Sequence, residues 1–321
     1  MNHGSRQVFA WAIAIGLSGT IYGGGAYWLK FKAPHSSSYD EHGSDHEEQA
    51  TDGHDAHGDK KDDEHAAAGH DAHGEKTAHA PAEHKPHWSY GKGDAEGPSQ
   101  WGNLAQEFST CEKGMEQSPI DIRNAKHAAS APKIVWHYSA AKLKVENNGH
   151  TIQSNTGTSD NYVTIDGEKY SLAQFHFHNP SEHRIGGVPS DMEMHFVHKN
   201  AAGKLAVIGV MINEHAGKEN KAFKPVWDVL PREKKSKVEQ PVDVKLTNLL
   251  PSKTEYFHYK GSLTTPPCSE GVRWFVLKEP VNMSSGQVEM YTSIFDAPTN
   301  RPVQPIQGRE IITNGAPSLA H

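Results

Sequence analysis

The chain has 321 residues, enough for one large domain or two smaller ones. Its net charge of −7 is unevenly spread: residues 1–32 carry +3, residues 33–87 carry −10, and residues 88–321 balance at zero. That balance excludes, for the folded part, the basic surface by which nucleic acid or an anionic membrane would be held.

Residues 8–29 are uncharged and mostly apolar. At helical rise they reach about 33 Å, enough to cross a hydrocarbon core. A buried core helix has nothing here to pack on. Two readings of segment 1–32 stay open: a signal peptide cleaved near Gly24-Gly25-Ala26, or an uncleaved signal-anchor transmembrane helix. The aromatic residues Tyr22, Tyr27 and Trp28 favour the anchor. An anchored chain meets the membrane through residues 8–29; a cleaved one is secreted.

Residues 33–87 hold 11 His and 14 Asp plus Glu, and lack Leu, Ile, Val, Phe, Met and Cys. The run Gly-His-Asp-Ala-His-Gly occurs at 53–58 and again at 69–74. Such a linker buries too little apolar surface to offset its ordering entropy, so disorder is expected. Its imidazoles and carboxylates suit extra divalent metals such as Zn, Ni or Cu, bound weakly and several at once. The plain alternative is a solvated spacer.

From about Lys133 onward, turn formers recur roughly every 8–12 residues. The segments between them read as short strands, among them Lys142–Asn147, Tyr162–Ile165, Leu205–Ile212 and Val272–Leu277. Helical patterns are confined to Lys221–Leu230 and Gly286–Phe295. The fold class predicted is mainly β with a few short helices.

The stretch Gln174-Phe175-His176-Phe177-His178 is answered by Glu193-Met194-His195. In a strand, side chains alternate between faces, so His176 and His178 share one face and Phe175 and Phe177 the other. Turn formers lie between, at Asn179-Pro180-Ser181 and Gly186-Gly187. An antiparallel return strand brings His195 beside the pair. Three imidazoles are the ligand set of a catalytic zinc with an open fourth position. Gln174 and Glu193 each sit two residues before a histidine, placed to accept a hydrogen bond from its other ring nitrogen.

Seven motifs in order complete the pattern: Trp88-Ser89-Tyr90-Gly91, Gln117-Ser118-Pro119-Ile120, Asn147-Asn148-Gly149-His150, the histidine strands, Ser181-Glu182-His183, Leu263-Thr264-Thr265-Pro266-Pro267-Cys268 with Trp274, and Arg301-Pro302-Val303-Gln304-Pro305. From about Trp88 to Arg309 the sequence resembles an α-class carbonic anhydrase of the bacterial, periplasmic type. The resemblance implies a single domain, 88–314, around a large twisted, mainly antiparallel sheet, followed by a tail at 315–321. It implies Zn2+ on His176, His178 and His195, and reversible hydration of CO2 to bicarbonate by a zinc-bound hydroxide.

Carried over residue by residue, Thr264 matches the gatekeeper that orients the hydroxide and Glu182 its carboxylate partner. Thr265 backs the bicarbonate pocket, and His183 supports the polar network. Val197, Val207, Leu263 and Trp274 match the apolar wall that receives CO2, although core packing accounts for the same residues. His150 matches the proton shuttle, an imidazole near its intrinsic pKa, and an exposed surface histidine is the alternative. Tyr90, Asn148 and Gln153 would line its water chain. Cys111 and Cys268 match a disulfide pair, which requires an oxidising, extracytoplasmic compartment; two buried thiols are the other reading. Bacterial relatives imply a homodimer. Competing readings are a catalytically inactive binding module and a periplasmic zinc buffer centred on the 33–87 tract.

Overall fold

The computed structural model describes residues 86–156 and 160–316. The readings for 1–32, for 33–85 and for 317–321 lie outside the described residues. Among the described residues no helix is long and apolar enough to cross a membrane.

Eight strands build the site: β1 (Ala140–Asn147), β2 (Ile152–Asn155), β3 (Tyr162–Ile165), β4 (Glu168–His178), β5 (Met192–Lys199), β6 (Leu205–His215), β7 (Tyr256–Ser262) and β8 (Glu270–Leu277). They form where β-branched and aromatic residues alternate with polar ones. In β1, for example, Leu143, Val145 and Asn147 face inward while Lys142 and Lys144 are exposed. β6 is buried from Ala206 to Ile212, as a central strand covered on both faces must be.

These strands belong to one 13-stranded sheet in which the order β1-β2-β4-β5-β6-β8-β7 is continuous. Most pairings are antiparallel; β6 with β8 and β6 with Val281–Ser284 are parallel. The β7–β8 hairpin docks on β6 through its second strand, and that makes the join parallel. The expected mainly β, mainly antiparallel fold is the one observed.

The sheet has a core on each face. Phe175, Phe177, Met194 and Phe196 pack with Phe223, Trp227 and Tyr291 on one side. Val207, Met211, Tyr259, Trp274 and Val276 pack on the other, the side of the histidines. Phe177 meets Trp227 edge to face at 5.0 Å, a favoured aromatic geometry.

The two helices are shorter than predicted. Instead of Lys221–Leu230, only Lys224–Trp227 is α-helical. Pro225 is tolerated in its first turn, but Pro231 disfavours helical backbone at Leu230. Instead of Gly286–Phe295, the helix is Ser285–Thr292, opened by a capping box between Ser284 and Gln287.

Cys111 and Cys268 form a disulfide across 157 residues. On the chain-entropy model a loop of that length restricts the unfolded chain by about 5 kcal/mol. The Cys111→Ser/Cys268→Ser double variant is therefore expected to unfold well below the parent in a thermal melt, by about 2–5 kcal/mol. An unchanged melting temperature would show that the bridge constrains little.

Candidate metal centre

The β4–β5 register sets His195 opposite His176 and Glu193 opposite His178. Gly186 and Gly187 take positive φ in the connection, where a Cβ would be strained. One ligand nitrogen from each of His176, His178 and His195 lies within 4.8 Å of the others. Nitrogens around a tetrahedral zinc stand about 3.4 Å apart, so the cluster is of the right size to close on an ion. His178 and His195 are buried and His176 is half-buried. Burial holds all three pKa values down, to about 4 for His178. The imidazoles stay neutral, which is the ligating form.

An acceptor stands behind each ring. His176 Nδ1 is 2.8 Å from Gln174 Oε1. His178 Nδ1 is 2.6 Å from the Thr299 carbonyl, which leaves its Nε2 buried without a partner. His195 Nε2 lies 2.9 Å from Glu193 Oε1, beside the carboxylate but too poorly aligned to count as a hydrogen bond. Its Nδ1 therefore faces the cluster. Gln174 stands at hydrogen-bond distance from His176, whereas Glu193 lies beside His195 without a hydrogen bond to it. The Thr299 carbonyl was not foreseen, because a backbone acceptor 121 residues away leaves no mark in sequence.

Glu193 is the hub of the buried network. Its Oε2 accepts from the backbone N–H groups of Glu182 and His183, and its Oε1 from His183 Nδ1. Burial alone would raise its pKa; His183 and His195 hold it well below the usual carboxylate range. His183 Nε2 in turn lies 2.6 Å from the Tyr259 hydroxyl. His183 is thus occupied on both ring nitrogens, consistent with a network role. A second grouping of metal-ligating atoms, His183, Glu193 and His195, consists of this same network.

Glu182 is 1 % exposed. Its Oε1 accepts from the backbone N–H of Arg301, while Oε2 has no hydrogen-bond partner and sits 3.5 Å from His178 Nε2. Burial pushes its pKa up to about 7, against the lowering pull of His195, the Arg301 N–H and the Thr264 hydroxyl. Thr264 is buried in the turn whose later residues include Thr265 and Cys268; the Cys268 N–H donates to the Thr265 carbonyl. The disulfide thereby anchors the threonine turn. Arg301, 1 % exposed, donates to Gln117 Oε1 and to the carbonyls of Ser118 and Cys111. It stitches the N-terminal segment to the Glu182 loop.

Val197 pairs with Val207 across β5–β6, and Val207 with Trp274 across β6–β8. Leu263 packs on the same cluster. The four predicted wall residues are therefore contiguous.

The remaining predicted residues lie on the other side of the histidines. Gln153 pairs with His176 across β2–β4 and accepts from Asn148 Nδ2 at 3.4 Å. Glu146 and Asn155, unpredicted, extend this polar group. Tyr90 stands between His178 and His150, with ring centres 6.4 Å from each. The His150 ring lies flat on Trp88, 3.7 Å away. Its pKa is lowered to about 4, chiefly by burial, then by His87, Lys235 and Lys234.

Gly209 was not singled out from sequence, although an isolated glycine in a β-branched strand marks close approach. It lies opposite His195, and a Cβ there would come within 2.8 Å of Glu193 Oε1. Gly209→Ala is expected to displace that carboxylate and lower activity about 10–100-fold, the usual cost of disturbing a ligand's outer partner. Steady-state hydration assays check it; unchanged activity would mean that the carboxylate has room to move.

A trio of neutral imidazoles gathered on one face of a β-sheet is a grouping that could hold a single metal ion. The Eukaryotic-type carbonic anhydrase family model matches residues 96–315. A carbonic anhydrase from Pectobacterium carotovorum is 43% identical over 231 residues, covering 70% of this chain and 90% of that protein. An α-carbonic anhydrase from Thermovibrio ammonificans, solved with sulfanilamide, superposes with a TM-score of 0.67 at 43% identity, covering 71% of this chain and 99% of that one. Dioscorin, solved with ascorbate, is a more distant neighbour, at 30% identity, a TM-score of 0.65 and coverage of 71% and 97%. The chain belongs to the α-type carbonic anhydrase family and is a carbonic anhydrase.

Proposed function

We propose that the chain hydrates CO2 reversibly at a zinc ion held by His176, His178 and His195. The observation that carries this reading is the convergence of three neutral imidazoles, two of them hydrogen-bonded through their other ring nitrogen and the third with the Glu193 carboxylate 2.9 Å from it. A zinc ion held there supplies Lewis acidity, which brings the pKa of a bound water to about 7.

The chain's own residues do the rest. Glu182 accepts a hydrogen bond from the Thr264 hydroxyl, so the threonine oxygen is left to accept one from the attacking group and fixes its direction. Val197, Val207, Leu263 and Trp274 hold CO2 in a dry wall, and Thr265 backs the product. The released proton travels along waters ordered by Gln153, Asn148 and Tyr90 to His150. In its stack on Trp88 that ring is a weak base. It accepts the proton when turned inward and gives it up when stacked.

The disulfide supports a place outside the cytoplasm. Segment 1–32 then serves as export signal or membrane anchor, with residues 33–87 as a tether ahead of the 88–314 domain. The tract's histidines capture zinc near the enzyme. Titrating zinc into a 33–87 peptide tests this; no saturable heat at micromolar zinc removes it.

The central test is stopped-flow CO2 hydration by the purified chain before and after zinc removal. Fast hydration that vanishes on chelation and returns with zinc is expected. A folded, zinc-loaded chain without hydration would instead favour a binding module.

A further inference from the structure

We propose that His87, held by Glu96, is an outer proton station that takes the proton His150 releases and passes it to buffer. This rests on the reading of His150 as the shuttle.

The His87 ring centre lies 6.5 Å from that of His150, a span that one water can bridge. His87 Nδ1 is 2.8 Å from Glu96 Oε2, which orients the ring. The side chain is 70% exposed, so the ring is open to buffer on its outer side. Its mounting is firm. The Ser89 N–H donates to the Glu96 carbonyl at 2.8 Å, and the buried Trp101 indole N–H donates to the carbonyls of both Ser89 and Glu96. Trp88, the next residue, is the platform on which His150 lies.

The other charged groups around His150 agree with outward release. Lys234, Lys235 and Asp94 line the same pocket of about 330 Å³. Lys234 is paired with Asp296 at 3.3 Å. Both lysines act against a proton on His150, while His87 has the Glu96 carboxylate beside its ring.

The step is a proton transfer only. The His150 imidazolium gives its proton through one water to Nε2 of His87. His87 becomes an imidazolium against the Glu96 carboxylate, and His150 returns to neutral. A buffer base then removes the proton from His87.

The test is CO2 hydration by the full zinc-loaded chain with His87→Ala, His150→Ala, the double variant and Glu96→Gln, in low-millimolar buffer and in excess imidazole. His87→Ala is expected to lower kcat about three- to tenfold in weak buffer with kcat/KM unchanged, since only the proton-transfer step is touched. Excess imidazole restores it. Glu96→Gln moves kcat the same way by less, and His87→Ala adds nothing on top of His150→Ala.

If His150→Ala lowers kcat in weak buffer and His87→Ala does not, the outer station is wrong and the shuttle stands. If His150→Ala changes nothing, the shuttle reading fails and the station with it. A His87→Ala loss that appears in kcat/KM, or that imidazole does not restore, means a structural role and overturns the proposal.

Discussion

His178→Ala is expected to strip the chain of its zinc and to lower CO2 hydration by at least about a thousandfold, past the 10–100-fold typical of losing an outer partner. His178 is the ligand candidate with the fewest substitutes. It is 1 % exposed, its Nδ1 is spent on the Thr299 carbonyl, and its Nε2 is a buried nitrogen with no hydrogen-bond partner among the described residues. A buried polar atom without a partner is costly unless something outside the chain satisfies it. The alanine variant leaves two imidazoles where catalytic zinc sites keep three protein ligands. His183→Ala is the matched control: an equally buried imidazole, bonded to Glu193 and Tyr259 on its two nitrogens. It is expected to lose stability yet keep its zinc. Metal content after dialysis, read alongside stopped-flow rates, separates the two. Retention of zinc and hydration by His178→Ala would remove it from the ligand set.

The parts of this site legible in sequence are those that obey a local period. The alternation in β4 placed His176 and His178 on one face and Phe175 and Phe177 in the opposite core, and the same rule put Gln174 behind His176. The order of motifs placed the apolar wall, because Val197, Val207 and Trp274 occupy paired positions on three adjacent strands. What stayed hidden depends on contacts between distant segments. The carbonyl of Thr299 on His178, the N–H of Arg301 on Glu182 and the carbonyl of Cys111 on the Arg301 guanidinium are backbone groups, which every residue carries. The stacking of His150 on Trp88 is of the same kind: both residues stood out in sequence, but not their contact across 62 positions. Helix lengths were overread because the apolar spacing in Lys221–Leu230 outlasts the backbone's freedom, which Pro231 ends.

Glu193→Gln is expected to destabilise the fold by about 3 kcal/mol or more, the cost of leaving several buried donors without their charged acceptor. The carboxylate receives two backbone N–H groups on Oε2, the His183 ring on Oε1, and the His195 ring 2.9 Å from Oε1. An amide has one acceptor oxygen and one donor nitrogen. Turned either way, it sets its NH2 against donors: the two backbone amides, or the two rings. His183 relieves its part only by switching tautomer and donating from Nε2 to the Tyr259 hydroxyl, while His195 has no such exit because its other nitrogen faces the metal cluster. For a domain of this size each kcal/mol moves the melting temperature by about 2–4 °C, so a fall of about 10 °C is expected. Zinc affinity should drop about 10–100-fold as well, because the His195 ring loses the carboxylate beside it. Gln174→Ala provides the scale. It removes one bond to the half-buried His176 and should cost only about 1 kcal/mol. Thermal melts of both variants, with and without zinc, read the difference directly. If the two variants melt within a degree or two of each other, Glu193 is not the hub on which the metal ligand and its network depend.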